Sequence, residues 1–271
     1  MSLPAKKAIQ IDENVTHYVY KMLNHEMILK YDNSVCIECG FCHRVCPVTV
    51  SIYNEPLKKT AIGTPKQMGI ESDKKIVVDV EKCIWCGCCT WICPSYTLEL
   101  FINGEKKLLL VENGSLPEFE EEVRELENGQ KVRKVVEGSI TITCNEKDTS
   151  IIDKFIETCP TKAMSREGTE INVDRDKCIL CFKCTEESEN YDNISVKVFR
   201  DRFKKIKGEP SSVWNGIMLR VLGKEGKIKG IMSRSQKKSG LANVISLQLL
   251  SIVLCYFNYL FGTFNKFNSR Y

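Results

Sequence analysis

The sequence predicts an α+β fold made of two related cysteine-rich units, a β-hairpin insertion between them and a helical C-terminal tail. Three observations predict it. Cys36, Cys39, Cys42 and Cys46 spell C-x2-C-x2-C-x3-C before Pro47, and Cys83, Cys86, Cys89 and Cys93 spell it again before Pro94. A third triplet, Cys178, Cys181 and Cys184, recurs together with its approach, since Ile171-Asn172-Val173-Asp174-Arg175-Asp176-Lys177 parallels Ile76-Val77-Val78-Asp79-Val80-Glu81-Lys82 at an offset of 95 residues. Between the units, Asn103-Gly104 is a strong hairpin signal.

The elements follow in order. Residues 1–30 read as an N-terminal helix, because Val15, Val19, Met22, Leu23 and Ile28 fall near helical spacing between Ile9 and Lys30. Residues 31–100 hold the two complete runs, and the Val48–Val78 excursion between them carries Pro56, Gly63, Pro65 and Gly69 and reads as loop. Residues 101–143 are the insertion. Thr97–Ile102 and Lys106–Glu112 are expected strands around Asn103-Gly104, and Ser115-Leu116-Pro117-Glu118 has the form of a capping box opening a helix that stops before Gly129. Lys131–Val136 and Ser139–Thr143 flank Glu137-Gly138 as a second, weaker hairpin. Residues 144–199 are the second unit, 200–238 a basic segment and 239–271 an apolar tail.

Composition narrows the function. The 271 residues include 15 Cys but only 3 His, and no apolar run follows Lys6 and Lys7 at the N-terminus. Without an export signal, this many cysteines points to metal in a reducing, cytoplasmic setting rather than to disulfides. Charge is divided: residues 200–271 hold 14 Lys+Arg against 3 Asp+Glu, and residues 1–199 hold 25 against 32. A basic tail can meet nucleic acid, an anionic membrane or an acidic partner. Nucleic acid ranks last, since Trp214 is nearly alone among aromatics in the basic stretch. Ser239–Asn265 is free of charge, and Leu241–Gly262 is about long enough to span a bilayer. Six Lys/Arg precede it from Lys224 to Lys238 and two follow it. A helix packed on a partner or on the domain itself is weighed above membrane contact.

The cysteine spacing carries the chemistry. Three thiolates two residues apart, on a loop tightened by Gly40 or Gly87, can wrap three corners of an iron–sulfur cube, while the fourth Cys opens the next turn and the following Pro fixes its φ. Zinc needs only four ligands, commonly as two separated C-x2-C pairs, so the repeated third Cys and terminal Cys-Pro exceed its needs. His17, His25 and His43 are expected at the surface or at caps. Cys88, Cys144 and Cys255 remain as buried or idle thiols.

These runs, the I-x-V-D-x-[DE]-K-C approach and Cys159-Pro160-Thr161-Lys162-Ala163-Met164 resemble the bacterial-type [4Fe-4S] ferredoxin family over roughly residues 31–100 and 144–199. The resemblance implies a ferredoxin-like two-cluster domain plus a second, degenerate one-cluster ferredoxin unit. It also implies crossed ligation, in which the fourth Cys of each run serves the other cluster. Cys36, Cys39 and Cys42 then pair with Cys93; Cys83, Cys86 and Cys89 with Cys46; and Cys178, Cys181 and Cys184 with Cys159. In the second unit the other set falls on Thr149, Ile152, Phe155 and Ser188, so one set of four is lost whole and its neighbour kept whole. Twelve cysteines therefore hold three [4Fe-4S] clusters, with Ile37, Phe41, Ile84, Trp85, Trp91, Ile179 and Phe182 as candidates for the apolar shell.

The stretch Leu98–Lys106 is similar to the linker between units in archaeal polyferredoxin-like subunits, such as those of formylmethanofuran dehydrogenase. That likeness implies single-electron relay to or from redox partner proteins or a larger oxidoreductase complex, with no catalytic residue in the chain itself. Leu222–Gln236 more faintly resembles the approach to the flavin domain of deazaflavin-dependent hydrogenase beta subunits. A Ser-Gly-Gly helix start should follow there, and this chain reads Ser239-Gly240-Leu241. The alternative is thus the truncated, cluster-bearing N-terminal part of a flavin-dependent oxidoreductase beta subunit.

Overall fold

Three antiparallel strands open the chain where a helix is expected: β1 (Ala5–Gln10), β2 (Val15–Lys21) and β3 (Glu26–Asp32). Val15-Thr16-His17-Tyr18-Val19-Tyr20 is an unbroken β-branched and aromatic run, and Thr16 and Tyr18 are buried on alternate positions. Asp12 turns the chain by accepting from the Asn14 and Val15 amides at 2.8 Å. The helical spacing of five apolar residues coincided with a period-2 pattern, and β-propensity prevailed. The computed structural model describes residues 4–48, 60–119, 123–126, 128–181, 183–204, 206–207, 211, 213–214 and 216–223. The apolar tail, Cys255 and Phe182 lie outside the described residues.

The first run leads into the short helix α1 (Phe41–Val45), followed by β4 (Ile62–Gly63), α2 (Pro65–Met68) and β5 (Val77–Val78). The excursion expected as loop thus contains a small hairpin, β4 against β5. The second run leads into α3 (Cys88–Ile92), then β6 (Leu98–Ile102) and β7 (Glu105–Lys106). Asn103 and Gly104 join β6 to β7 with φ of 51° and 82°, the conformation a tight hairpin turn requires. One five-stranded sheet has the order β1-β2-β3-β6-β7. Tyr18 faces Leu29, and Leu29 faces Leu100, giving a row of buried side chains beneath the second run.

The insertion differs from expectation. The strand expected through Glu112 ends at Lys106, and the helix α4 (Leu109–Glu112) follows. The apparent capping box opens no helix. Pro117 gives its carbonyl to the Trp91 indole N–H at 2.8 Å, and the chain runs on as β8 (Glu118–Phe119), β9 (Val123–Glu125) and β10 (Lys131–Arg133), with β9 paired to β10. Docking on Trp91 overrides the local capping signal. Glu137-Gly138 is a bulge inside the continuous strand β11 (Val136–Cys144), not a hairpin turn. Any Cβ at Gly138 would lie 2.0 Å from the Phe199 carbonyl oxygen, so only glycine allows the strands to meet there.

The second unit comprises α5 (Thr149–Glu157), β12 (Met164–Glu167), β13 (Glu170–Val173), α6 (Lys183–Ser188) and β14 (Ile194–Phe203). β11 and β14 pair across its third cysteine triplet as β3 and β6 pair across the first two runs. The boundary expected at residue 200 falls inside β14. A short strand β15 (Ile206–Lys207) pairs with β8, and residues 216–223 are helical. Trp214, Ile217, Met218, Val221 and Leu222 are buried at i, i+3, i+4, i+7 and i+8 spacing. The lysines and arginines around them concealed this apolar stripe. Trp214, Phe203, Phe119 and Trp91 form one aromatic cluster, with ring centroids 4.5 Å apart for Trp91–Phe119 and 4.6 Å for Phe203–Trp214. Among the described residues no helix is long and apolar enough to cross a membrane.

Candidate metal centres

Each cysteine triplet sits on the same backbone. Glu38, Trp85 and Leu180, the residues before the second Cys of each triplet, have φ of 52°, 50° and 54°. Non-glycine residues rarely adopt this left-handed conformation, and its threefold recurrence marks one loop shape used three times. Gly40 and Gly87 continue the turn at φ 72° and 76° and open α1 and α3. The approach repeats as well. Asp79 accepts from the Glu81 and Lys82 amides at 3.1 and 3.2 Å, and Asp174 accepts from the Asp176 and Lys177 amides at 2.8 and 3.2 Å. The Cys83 and Cys178 amides reach back to the Asp79 and Asp174 carbonyls at 2.9 and 3.0 Å.

The isolated cysteine upstream of the third triplet has a counterpart too. Tyr96 and Lys162, three residues after Cys93 and Cys159, have φ of 56° and 49°. The Cys93 and Cys159 sulfurs lie 3.8 and 3.7 Å from the hydroxyls of Ser95 and Thr161. The Ala163 amide donates to the Cys159 sulfur at 3.3 Å.

The fold gathers these thiols in three groups. One cavity is lined by Cys36, Cys39, Cys42 and Cys93, with Ile37, Ile76 and Leu98. A second is lined by Cys46, Cys83, Cys86 and Cys89, with Leu29, Val78, Trp85 and Leu100, and the off-pattern Cys88 also borders it. Cys159 acts electrostatically on Cys178, Cys181 and Cys184 alike. We term these sites 1, 2 and 3. The charge of Cys89 bears on Cys42 and that of Cys181 on Cys39, and Cys39 and Cys181 share one core with Cys89 packed against it, so site 1 adjoins both of the others. Lys183 on α6 donates to the Glu38 carboxylate at 2.7 Å, tying the site 1 loop to the site 3 helix.

The donor set suits a cluster. The thiols of sites 1 and 2 ring a space rather than a point. Burial pushes Cys36, Cys83 and Cys184 up to about 11 and Cys181 to about 12, and it drives Cys39, Cys42 and Cys89 well above the ordinary thiol value. Four thiolates can share so dry a space only with a cationic core among them, which iron supplies. The Arg220 Nε is buried without a protein partner, while the thiols of Cys88, Cys46 and Cys86 favour its charge.

Ile37, Phe41, Trp85, Trp91 and Ile179 are buried around the sites, whereas Ile84 is 59% exposed although it lines the site 2 cavity. His43 is not at the surface. It is buried in α1, with Nδ1 2.6 Å from the Thr60 hydroxyl and 3.0 Å from the Ile62 carbonyl. Cys88 is buried beside Cys86, and their hydrogen bond lowers Cys86 and raises Cys88. Cys144 ends β11 opposite Ile194. The spacing did not disclose the cations that hold the ligand loops. Lys6, Lys75 and Arg133 donate to the carbonyls of Cys83, Cys36 and Cys93 at 3.3, 2.9 and 3.2 Å. Arg133 also lies 4.9 Å from the Tyr96 ring centroid.

Comparison with known proteins bears on the first two runs and on the fold. A 4Fe-4S dicluster domain model matches residues 28–94. Ferredoxin-3 of Rhodobacter capsulatus is 36% identical over 75 residues, covering 25% of this chain and 74% of that protein. In solved structures, a chain of the formate dehydrogenase–heterodisulfide reductase–formylmethanofuran dehydrogenase complex from Methanospirillum hungatei is similar with a TM-score of 0.60 and 20% identity, covering 82% of this chain and 92% of that one.

Proposed function

Since the chain belongs to the bacterial-type [4Fe-4S] ferredoxin family, we propose that its iron–sulfur electron-transfer role runs through three clusters and serves a larger oxidoreductase complex. A bound [4Fe-4S] cluster takes up and returns one electron at a time. The chain's own part is to hold, insulate and order the sites. Cys36, Cys39, Cys42 and Cys93 hold the first; Cys83, Cys86, Cys89 and Cys46 the second; Cys178, Cys181, Cys184 and Cys159 the third. The observation that carries a third site is the shared loop shape at Glu38, Trp85 and Leu180, with φ of 52°, 50° and 54°. The packing of Cys39 and Cys181 in one core with Cys89 against it, and the Lys183–Glu38 ion pair between the site 3 helix and the site 1 loop, support a route from site 2 through site 1 to site 3.

Buried apolar side chains such as Ile37, Trp85 and Ile179 keep water from the sulfurs, which favours low potentials. Partner chemistry is drawn from the likeness in fold to a chain of a multi-enzyme complex, which covers residues well beyond the two complete runs. The test is an anaerobic coulometric titration of the full chain. Three sites take up about three electrons per chain. An uptake of about two would contradict the third site.

A further inference from the structure

We propose that two arginines from the C-terminal part of the chain, the buried Arg200 and the half-buried Arg220, set the potentials of these sites, Arg200 acting on sites 1 and 3 and Arg220 on site 2. The inference rests on the three-site reading and adds residues that no cysteine spacing discloses.

Arg200 is 3% exposed and lies at the seam of two ligand loops. Its Nε donates to the Leu180 carbonyl at 2.8 Å, its Nη2 reaches the same oxygen, and its Nη1 donates to the Val221 carbonyl at 3.1 Å. Leu180 is the left-handed residue before Cys181 in site 3. The guanidinium carbon stands 5.0 Å from the ring centroid of Phe41, which is two residues after Cys39 in site 1. Arg220 is held differently. Its Nη2 donates to the Val45 carbonyl at 3.1 Å, beside Cys46, and its buried Nε–H has no protein acceptor.

Burial pulls Arg200 down to about 9 and the neighbouring Arg44 pulls the same way, while the thiols of Cys181, Cys39 and Cys178 oppose them. Arg200 therefore remains a cation at neutral pH. Burial also lowers Arg220, and Cys88, Cys46 and Cys86 oppose that shift. A fixed positive charge in a dry interior favours whichever redox state carries more negative charge, which is the reduced one. Arg200 therefore raises the potentials of sites 1 and 3, and Arg220 raises that of site 2.

The test is potentiometric titration by electron paramagnetic resonance on the anaerobic full-length protein, with iron measured on every sample. Signals are assigned to sites by their loss in Cys93→Ala, Cys46→Ala and Cys159→Ala. Arg200→Gln shifts sites 1 and 3 to more negative potential and leaves site 2 in place. Arg200→Lys keeps the charge and restores most of the shift. Arg220→Gln moves site 2 alone. Unmoved potentials in fully loaded variants overturn the inference. So does a common shift of all sites, or an Arg200→Lys shift as large as that of Arg200→Gln, since each marks general loosening. If Arg200→Gln fails to hold iron, Arg200→Lys and Arg220→Gln decide. About eight irons in the parent overturns the three-site reading instead, and the inference then stands or falls on site 1 for Arg200 and site 2 for Arg220.

Discussion

Replacing Cys93 with alanine empties site 1 and leaves site 2 loaded, although Cys93 stands in the second run. The reason is spatial. Cys93 caps the C-terminal end of α3, where its amide donates to the Cys89 carbonyl at 3.1 Å, and from there it lines the cavity of Cys36, Cys39 and Cys42. The Cys46→Ala variant mirrors it, emptying the site 2 cavity that Cys83, Cys86 and Cys89 share with Cys46. Alanine offers no oxygen to replace the thiolate, so each variant loses about four of about twelve irons. Iron analysis and the pattern of paramagnetic signals check this. Loss of the site 2 signal in Cys93→Ala would refute crossed ligation.

Replacing Phe155 with alanine destabilises the second unit by about 3–5 kcal/mol and leaves the iron content unchanged. Thr149, Ile152 and Phe155 stand where a fourth set of ligands would begin, and Ile152 and Phe155 are fully buried on α5. The Phe155 ring meets Tyr191 edge-on at 5.5 Å and packs in one core with Met164, Cys184, Ile194 and Val196. Apolar side chains stand at two positions of the missing ligand set, so removing Phe155 leaves a cavity and takes away no ligand. Thermal unfolding under anaerobic conditions should show a midpoint lower by roughly 6–20 °C. A midpoint within about 2 °C of the parent, or the loss of about four irons, would mean that α5 does not play this part.

The cysteine runs were legible because ligation tolerates little variation in spacing. The offset copy was legible through its Asp-x-[DE]-Lys-Cys approach, where one Asp side chain turns the backbone into the first thiol. The N-terminal strands were not, since Val15, Val19 and Met22 satisfy helical spacing while Thr16, Tyr18 and Tyr20 argue for strand. Gly138 looked like a turn because Glu-Gly also opens hairpins, whereas here glycine is required because any Cβ would meet the Phe199 carbonyl across the strand pair. The helix at residues 216–223 carries the period of Ile217, Met218, Val221 and Leu222, yet the charged residues on either side of it masked that stripe. Buried arginines are invisible to any reading that places charge at the surface. Arg133 and Arg200 are 7% and 3% exposed and satisfy their guanidinium groups on main-chain carbonyls of the ligand loops.

Iron and acid-labile sulfide per chain, measured on the anaerobically purified full-length protein beside Cys159→Ala, test the three-site claim most directly. Three clusters require about twelve of each in the parent and about eight in the variant. About eight in both would show that the second unit holds no cluster and that the chain carries a two-cluster ferredoxin domain alone.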